Sequence, residues 1–109
     1  MTEFLFNKSL IIGVGLIGSS LAKGIKNKKI SKSVIGYDSN KDHHKKCIDL
    51  KIVDSMIEEL ELIENIDLII LCSPLSTYNE ILEKILPLIK SPCIIADVGS
   101  TNLSVIEEF

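Results

Sequence analysis

Long apolar runs are missing from this 109-residue sequence: none approaches the roughly 18 residues needed to cross a bilayer, so the chain reads as soluble with no membrane partner. Cysteine is scarce and unpaired. Cys47, Cys72 and Cys93 are odd in number and form no Cys-x-x-Cys motif, which argues against a disulfide framework or a thiolate zinc site and fits reduced thiols in the cytoplasm. Cys72 and Cys93 fall in apolar stretches, where a thiol packs as a small hydrophobe. The net charge is only −3 and no basic cluster extends beyond Lys26-Asn27-Lys28-Lys29, so there is no electrostatic footprint for nucleic acid. Repeats, low-complexity tracts and linker-like stretches are absent as well. The reading is therefore one domain over 1–109, able to bury roughly two-thirds of its unfolded surface.

What is present is concentrated near the start. Ser9-Leu10-Ile11-Ile12 is a short apolar strand, Gly13-Val14-Gly15-Leu16-Ile17-Gly18 is a Gly-x-Gly-x-x-Gly turn, and Asp38 follows twenty positions after the last glycine. Strand, glycine turn, helix, and a second strand ending in an acid form the layout that binds a dinucleotide. Gly13 permits the tight turn, Gly15 lets the backbone approach a pyrophosphate, and Gly18 lets helix and strand pack closely. The phosphates would sit at the helix N-terminus, where free N–H groups and the positive end of the dipole favour an anion. Ile17, Leu21 and Ile25 supply one helical stripe, and Lys26 to Lys29 place cations at the helix's negative end. A secretory leader is the competing reading of this segment, and Glu3 together with three glycines inside the apolar stretch argues against it.

Downstream, Val34–Asp38 reads as the second strand, and Ser39 and Asp42 begin a polar helix running to about Leu50. Ile52-Val53 is expected as a short third strand, and Ile57, Leu60 and Ile63 as a brief helix. Asp67–Cys72 is a continuous apolar run of the kind buried on both faces of a parallel sheet. Tyr78, Ile81, Leu82, Ile85 and Ile89 repeat at helical spacing, with Pro87 set to subdivide that helix. Cys93–Asp97 is the fifth strand, and Leu103–Phe109 is expected to open another helix. Alternating strands and helices with short turns predict an α/β, doubly wound parallel sheet of the Rossmann type, in the order 3-2-1-4-5.

Ligands of such sheets bind beyond the carboxyl ends of the strands. The candidate cofactor residues are accordingly Gly13, Gly15, Leu16, Ile17, Gly18, Asp38, Cys72, Ser73, Pro74, Asp97 and Gly99. A carboxylate at Asp38 can accept from both ribose hydroxyls and repel a 2′-phosphate, which predicts NAD over NADP, with Lys41 near enough to soften the preference. His43 and His44 are adjacent, point about 100° apart, and lack a third ligand, so no metal site is expected and they read as a solvated face.

The blocks Ile11–Ala22, Ile35-Gly36-Tyr37-Asp38, Leu71-Cys72-Ser73-Pro74 and Ile95–Thr101 together resemble the N-terminal domain of the prephenate and arogenate dehydrogenases. The resemblance covers nearly the whole chain. It implies NAD-dependent oxidative decarboxylation of prephenate to 4-hydroxyphenylpyruvate in tyrosine biosynthesis, with a small-molecule substrate and a homodimer for the full-length family. By matching position it implies that Ser100 lies beside the nicotinamide as a catalytic residue. The family's general-base histidine is expected about twenty residues past that block, and its helical C-terminal domain also lies beyond this sequence, which reads as truncated before a sixth strand. Asn102 departs from the lysine that many members carry at that position. A 3-hydroxyacid-type dehydrogenase and a non-catalytic NAD-sensing module are the alternatives, and the Gly18-Ser19-Ser20-Leu21-Ala22 continuation and the Asp97–Ser100 block weigh against them.

Overall fold

The computed structural model describes residues 4–98 and, as backbone, 103–106. Strand β1 (Phe6–Ile12) leads through the glycine turn into helix α1 (Leu16–Asn27), and β2 (Ser31–Tyr37) into α2 (Asp42–Asp49). After β3 (Ser55–Met56) and a 3-10 turn at Leu60–Leu62 comes β4 (Leu68–Leu71). A second such turn at Leu75–Thr77 opens α3 (Tyr78–Ile85), and a third at Leu86–Leu88 precedes β5 (Cys93–Asp97) and β6 (Leu103–Ile106). The strands lie in the order β3-β2-β1-β4-β5-β6. The first five are parallel in the predicted order, and β6 pairs antiparallel with β5.

The central strands have apolar side chains on both faces, because helices cover both. Leu10, Ile12, Ile69 and Leu71 point to one side and pack with Tyr78, Ile81 and Ile85 of α3. Ile11 and Ile70 point to the other and pack with Ala22 and Ile25 of α1, and with Cys47 of α2. This is why the strands read as unbroken apolar runs rather than alternating ones. Pro87, which cannot donate to the preceding turn, ends the α-helix at Ile85 as expected. Among the described residues no helix is long and apolar enough to cross a membrane.

Four local expectations are corrected. The third strand is Ser55–Met56, not Ile52-Val53. The side chains of Ile52 and Val53 are buried beneath α1 and α2, and sheet pairing starts only after the Asp54 amide bonds Val34 O at 2.8 Å. The Asp54 carboxylate returns a bond from the Val34 amide at 2.8 Å and pairs with Lys26 at 2.9 Å. Ser39 does not cap α2; Asn40 Oδ1 accepts from the Asp42 amide at 3.0 Å, and Asp38 Oδ1 from the Asn40 amide at 2.8 Å. Ile17 is 61% exposed, so the buried stripe of α1 starts one residue later, at Gly18, and runs through Ala22 and Ile25. Finally, 103–106 is strand rather than helix, since Leu-Ser-Val-Ile, half of it β-branched, completes the open edge of β5; residues 107–109 lie outside the described part.

Candidate functional site

The carboxyl ends of β1, β2 and β4 surround a cleft of about 330 Å³. Six of the predicted cofactor residues line it: Gly13, Gly15, Asp38, Cys72, Ser73 and Pro74. Tyr37 and Ser39 join them from the β2 side, and Thr77, Glu80, Ile81 and Lys84 form the wall contributed by α3 and the turn before it. Sequence reasoning missed that wall, because its residues were counted as one helix's core and solvent faces. Leu16 and Ile17 are the first residues of α1, and Gly18 sits behind the turn. Asp97 ends β5, outside the cleft lining, in register with Leu71. Gly99 and Ser100 lie outside the described residues.

The glycine turn is held from three directions. The Gly13 amide donates to Tyr37 O at 2.7 Å, the Val14 amide to Asp38 Oδ2 at 2.9 Å, and the Cys72 amide to Ile12 O at 2.8 Å. Gly13 takes φ +92°, and a Cβ there would stand 2.7 Å from the Ser73 nitrogen. A Cβ on Gly18 would collide with Gly13 O. Around Gly15, by contrast, nothing lies within 4 Å of the place a Cβ would take. Gly15 is also the N-cap of α1, which has no side-chain cap and no acid in its first turn. A helix beginning this way keeps its first N–H donors for something other than its own side chains.

Asp38 is only 8% exposed. Burial alone would push its carboxyl up, but the hydrogen bond from His43, the Asn40 amide, the His43 charge and the Val14 amide together hold it below the usual carboxylate range. His43 Nδ1 donates to Asp38 Oδ2 at 3.0 Å, and His44 Nε2 donates to Asp38 O at 2.8 Å. The solvated-face reading is therefore wrong for His44, which is buried, and incomplete for His43, whose partly exposed ring is bonded to Asp38. His44 shares the buried face of α2 with Cys47 three residues on, a periodicity that the polar composition of the helix concealed. Among the described residues, no group of three or more His, Cys, Asp or Glu could hold a metal ion.

On the other side, the Tyr78 hydroxyl lies 3.1 Å from Leu71 O and 3.0 Å from Asp97 Oδ1, tying the ends of β4 and β5 to α3. Thr77 Oγ1 donates to Pro74 O at 2.6 Å and lies 3.0 Å from Ser73 Oγ, fixing the turn after β4. Burial, and secondarily the Asp97 charge, push the Cys72 thiol up to about 11, so it faces the cleft as a neutral thiol.

Residues 21–109 match the family described as the prephenate dehydrogenase nucleotide-binding domain. The matched stretch begins after the glycine turn, so turn and match are separate observations. The chain is 38% identical over 103 residues to a prephenate dehydrogenase of Lactococcus lactis subsp. cremoris, covering 92% of this chain and 28% of that protein. It is 31% identical over 103 residues to a cyclohexadienyl dehydrogenase of Zymomonas mobilis, covering 94% and 35%. Among solved structures it is similar to the prephenate dehydrogenase of A. aeolicus in complex with hydroxyphenyl propionate and NAD+, with a TM-score of 0.77 and 30% identity over 84% of this chain and 32% of that one. The arogenate dehydrogenase of Synechocystis gives a TM-score of 0.76 at 30% identity, with the same shares. The chain thus spans about a third of the length of the relatives it matches.

Proposed function

The chain belongs to the prephenate dehydrogenase family, and on that premise we propose that it binds NAD across the strand ends, as the nucleotide-binding part of an enzyme that oxidatively decarboxylates prephenate or arogenate. The observation that carries this reading is the contrast among the three glycines. Gly13 and Gly18 are demanded by the fold itself, whereas Gly15 has room for a side chain and needs none of its freedom for packing. A glycine that packing does not require, at the uncapped start of a helix, fits a backbone that a diphosphate approaches closely.

In this reading the adenosine half occupies the cleft with its ribose at Asp38, and the diphosphate lies at Gly15 and the first turn of α1. NAD supplies the hydride acceptor; the chain supplies position and charge. Asp38 carries its negative charge at neutral pH and would repel a 2′-phosphate. The sequence contains no arginine to receive one, and Lys41 is engaged with Glu58 at 2.7 and 3.2 Å. NAD is accordingly favoured over NADP. Asp97, tied to β4 through Tyr78, would lie toward the nicotinamide, and Ser100 takes the catalytic role, with Gly99 the cofactor-binding one, that the family resemblance implies. Both histidines sit against Asp38 on the adenosine side, so neither serves as base at the reacting hydroxyl. The 109 residues alone should then bind NAD without turning over prephenate. The family membership favours this reading over a 3-hydroxyacid-type dehydrogenase, and the Asp97–Ser100 block weighs against an NAD-sensing module. A small-molecule substrate, a cytoplasmic location and a homodimer for the complete enzyme follow from the same reading.

The test is calorimetric titration of the chain and of Gly15→Val with NAD and NADP. Saturable binding of NAD, weaker binding of NADP, and loss of both in a variant with an unchanged melting temperature are expected. Equal binding by chain and variant would remove the glycine turn from the site.

A further inference from the structure

Asp38 already holds more partners than an open ribose seat would. Oδ2 accepts from the Val14 amide at 2.9 Å and from His43 Nδ1 at 3.0 Å, while Oδ1 accepts from the Asn40 amide at 2.8 Å. An ionised carboxylate offers about four acceptor positions, so about one is left, and a ribose diol needs two. One of the present partners must therefore leave when the diol arrives. The Val14 amide belongs to the buried glycine turn, and releasing it would leave a backbone donor unsatisfied. The Asn40 amide is fixed in the tight turn that opens α2. His43 is the exception. Its side chain is 41% exposed and borders a second groove of about 260 Å³ between α1 and α2, so its ring nitrogen can pass to water at little cost.

Resting on the nucleotide reading above, we infer that His43 is a gate on the ribose seat: it occupies Oδ2 of Asp38 in the free chain and is displaced by the ribose diol. The consequence is a pH-dependent affinity. An imidazolium holds a carboxylate more strongly than a neutral imidazole does, and imidazoles change charge between about pH 5 and 8, so the diol competes less well as the pH falls.

The groups around His43 do not reproduce this profile. With His43 in place the Asp38 carboxyl is held below its usual range, and the Asn40 and Val14 amides that contribute to this stay on it when His43 leaves. From the glycine turn and α1, the groove presents Val14, Gly15 and Ser19, none of which titrates. On α2 itself, Asp42 lies in the first turn and Lys46 lines the groove beside Cys47, whose thiol, pushed up by burial and by the Asp38 charge, stays neutral. Beyond β3, Glu58 pairs with Lys41 and lies 4.0 Å from His44. His44 itself donates to the backbone oxygen of Asp38 and does not compete for the carboxylate.

The experiment titrates the chain and His43→Ala with NAD by calorimetry at about pH 8 and about pH 5.5, the two ends of the imidazole range. The chain is expected to bind about three- to tenfold more weakly at the lower pH, as befits loss and gain of one charge-assisted bond. The variant should show no such change and bind at least as tightly as the chain does at the higher pH. A flat profile in the chain, a slope that persists in the variant, or loss of binding in the variant would overturn the gate while leaving the nucleotide reading intact. Absence of NAD binding by both proteins at both pH values would overturn the nucleotide reading, and the gate with it.

Discussion

Three glycines separated by two and three positions face quite different demands. Gly13 is held at a backbone angle that L side chains rarely adopt, with Ser73 against the place of its missing Cβ. Gly13→Ala is therefore expected to destabilise the fold by about 1–3 kcal/mol or more, whereas Gly15→Ala should change it by less than about 0.5 kcal/mol, both read by denaturant unfolding. An equal loss at both positions would contradict the division of roles. Asp38 and Asp54 give a second prediction at this scale. Burial opposes both charges; the His43 bond with the Asn40 and Val14 amides at Asp38, and the Lys26 bond with the Val34 amide at Asp54, lower both carboxyls regardless. A depressed carboxyl stabilises the fold above its unfolded value of about 4, and that contribution is lost as the pH falls through the folded value. Stability of Asp54→Asn should consequently decline less steeply than that of the parent below about pH 5; parallel declines would remove Asp54 from the account. Cys72, with its thiol raised to about 11, should be alkylated at about pH 8 on the order of a hundredfold more slowly than a free thiol. Alkylation at the free-thiol rate would show that the burial is not maintained.

Elements were legible where apolar periodicity had one cause and misleading where it had two. The run Leu68–Leu71 could be read as a central strand because four consecutive apolar residues bounded by turns fit a strand buried on both sheet faces. Ile52-Val53 has the same character for another reason: these side chains fill the space beneath α1 and α2 while the backbone is still turning toward β3. Ile52→Ala is accordingly expected to cost about 2–5 kcal/mol in denaturant unfolding, the loss of a core side chain. A cost below about 1 kcal/mol would place Ile52 at the surface instead. The α2 helix was misjudged in the opposite sense, since one face is buried through His44 and Cys47 rather than through aliphatic residues. Its start, too, rests on a relay from Asp38 through Asn40 that a search for Ser-x-x-Asp does not detect. The α3 wall of the cleft was invisible for a geometric reason. Which of Thr77, Glu80, Ile81 and Lys84 face a ligand depends on how the helix lies across β4, and spacing alone does not specify that.

Across the whole molecule, the strand order places β1 at the centre, with β2 on one side and β4 on the other, so that the glycine turn, Asp38 and the Cys72-Ser73-Pro74 turn converge at one end of the sheet. Three segments far apart in sequence thus build one cleft, and the antiparallel β6 closes the edge most distant from Asp38. The family match over 21–109 and the unfilled space at Gly15 bear on that cleft independently, one from the rest of the chain and one from the turn the match does not include. The most direct measurement is a crystal structure of this chain grown with NAD. The account predicts the diphosphate against the backbone of Gly15 and the first turn of α1, with the adenosine ribose on the carboxylate of Asp38. Coenzyme bound at another face, or a cleft left empty at saturating NAD, would contradict it.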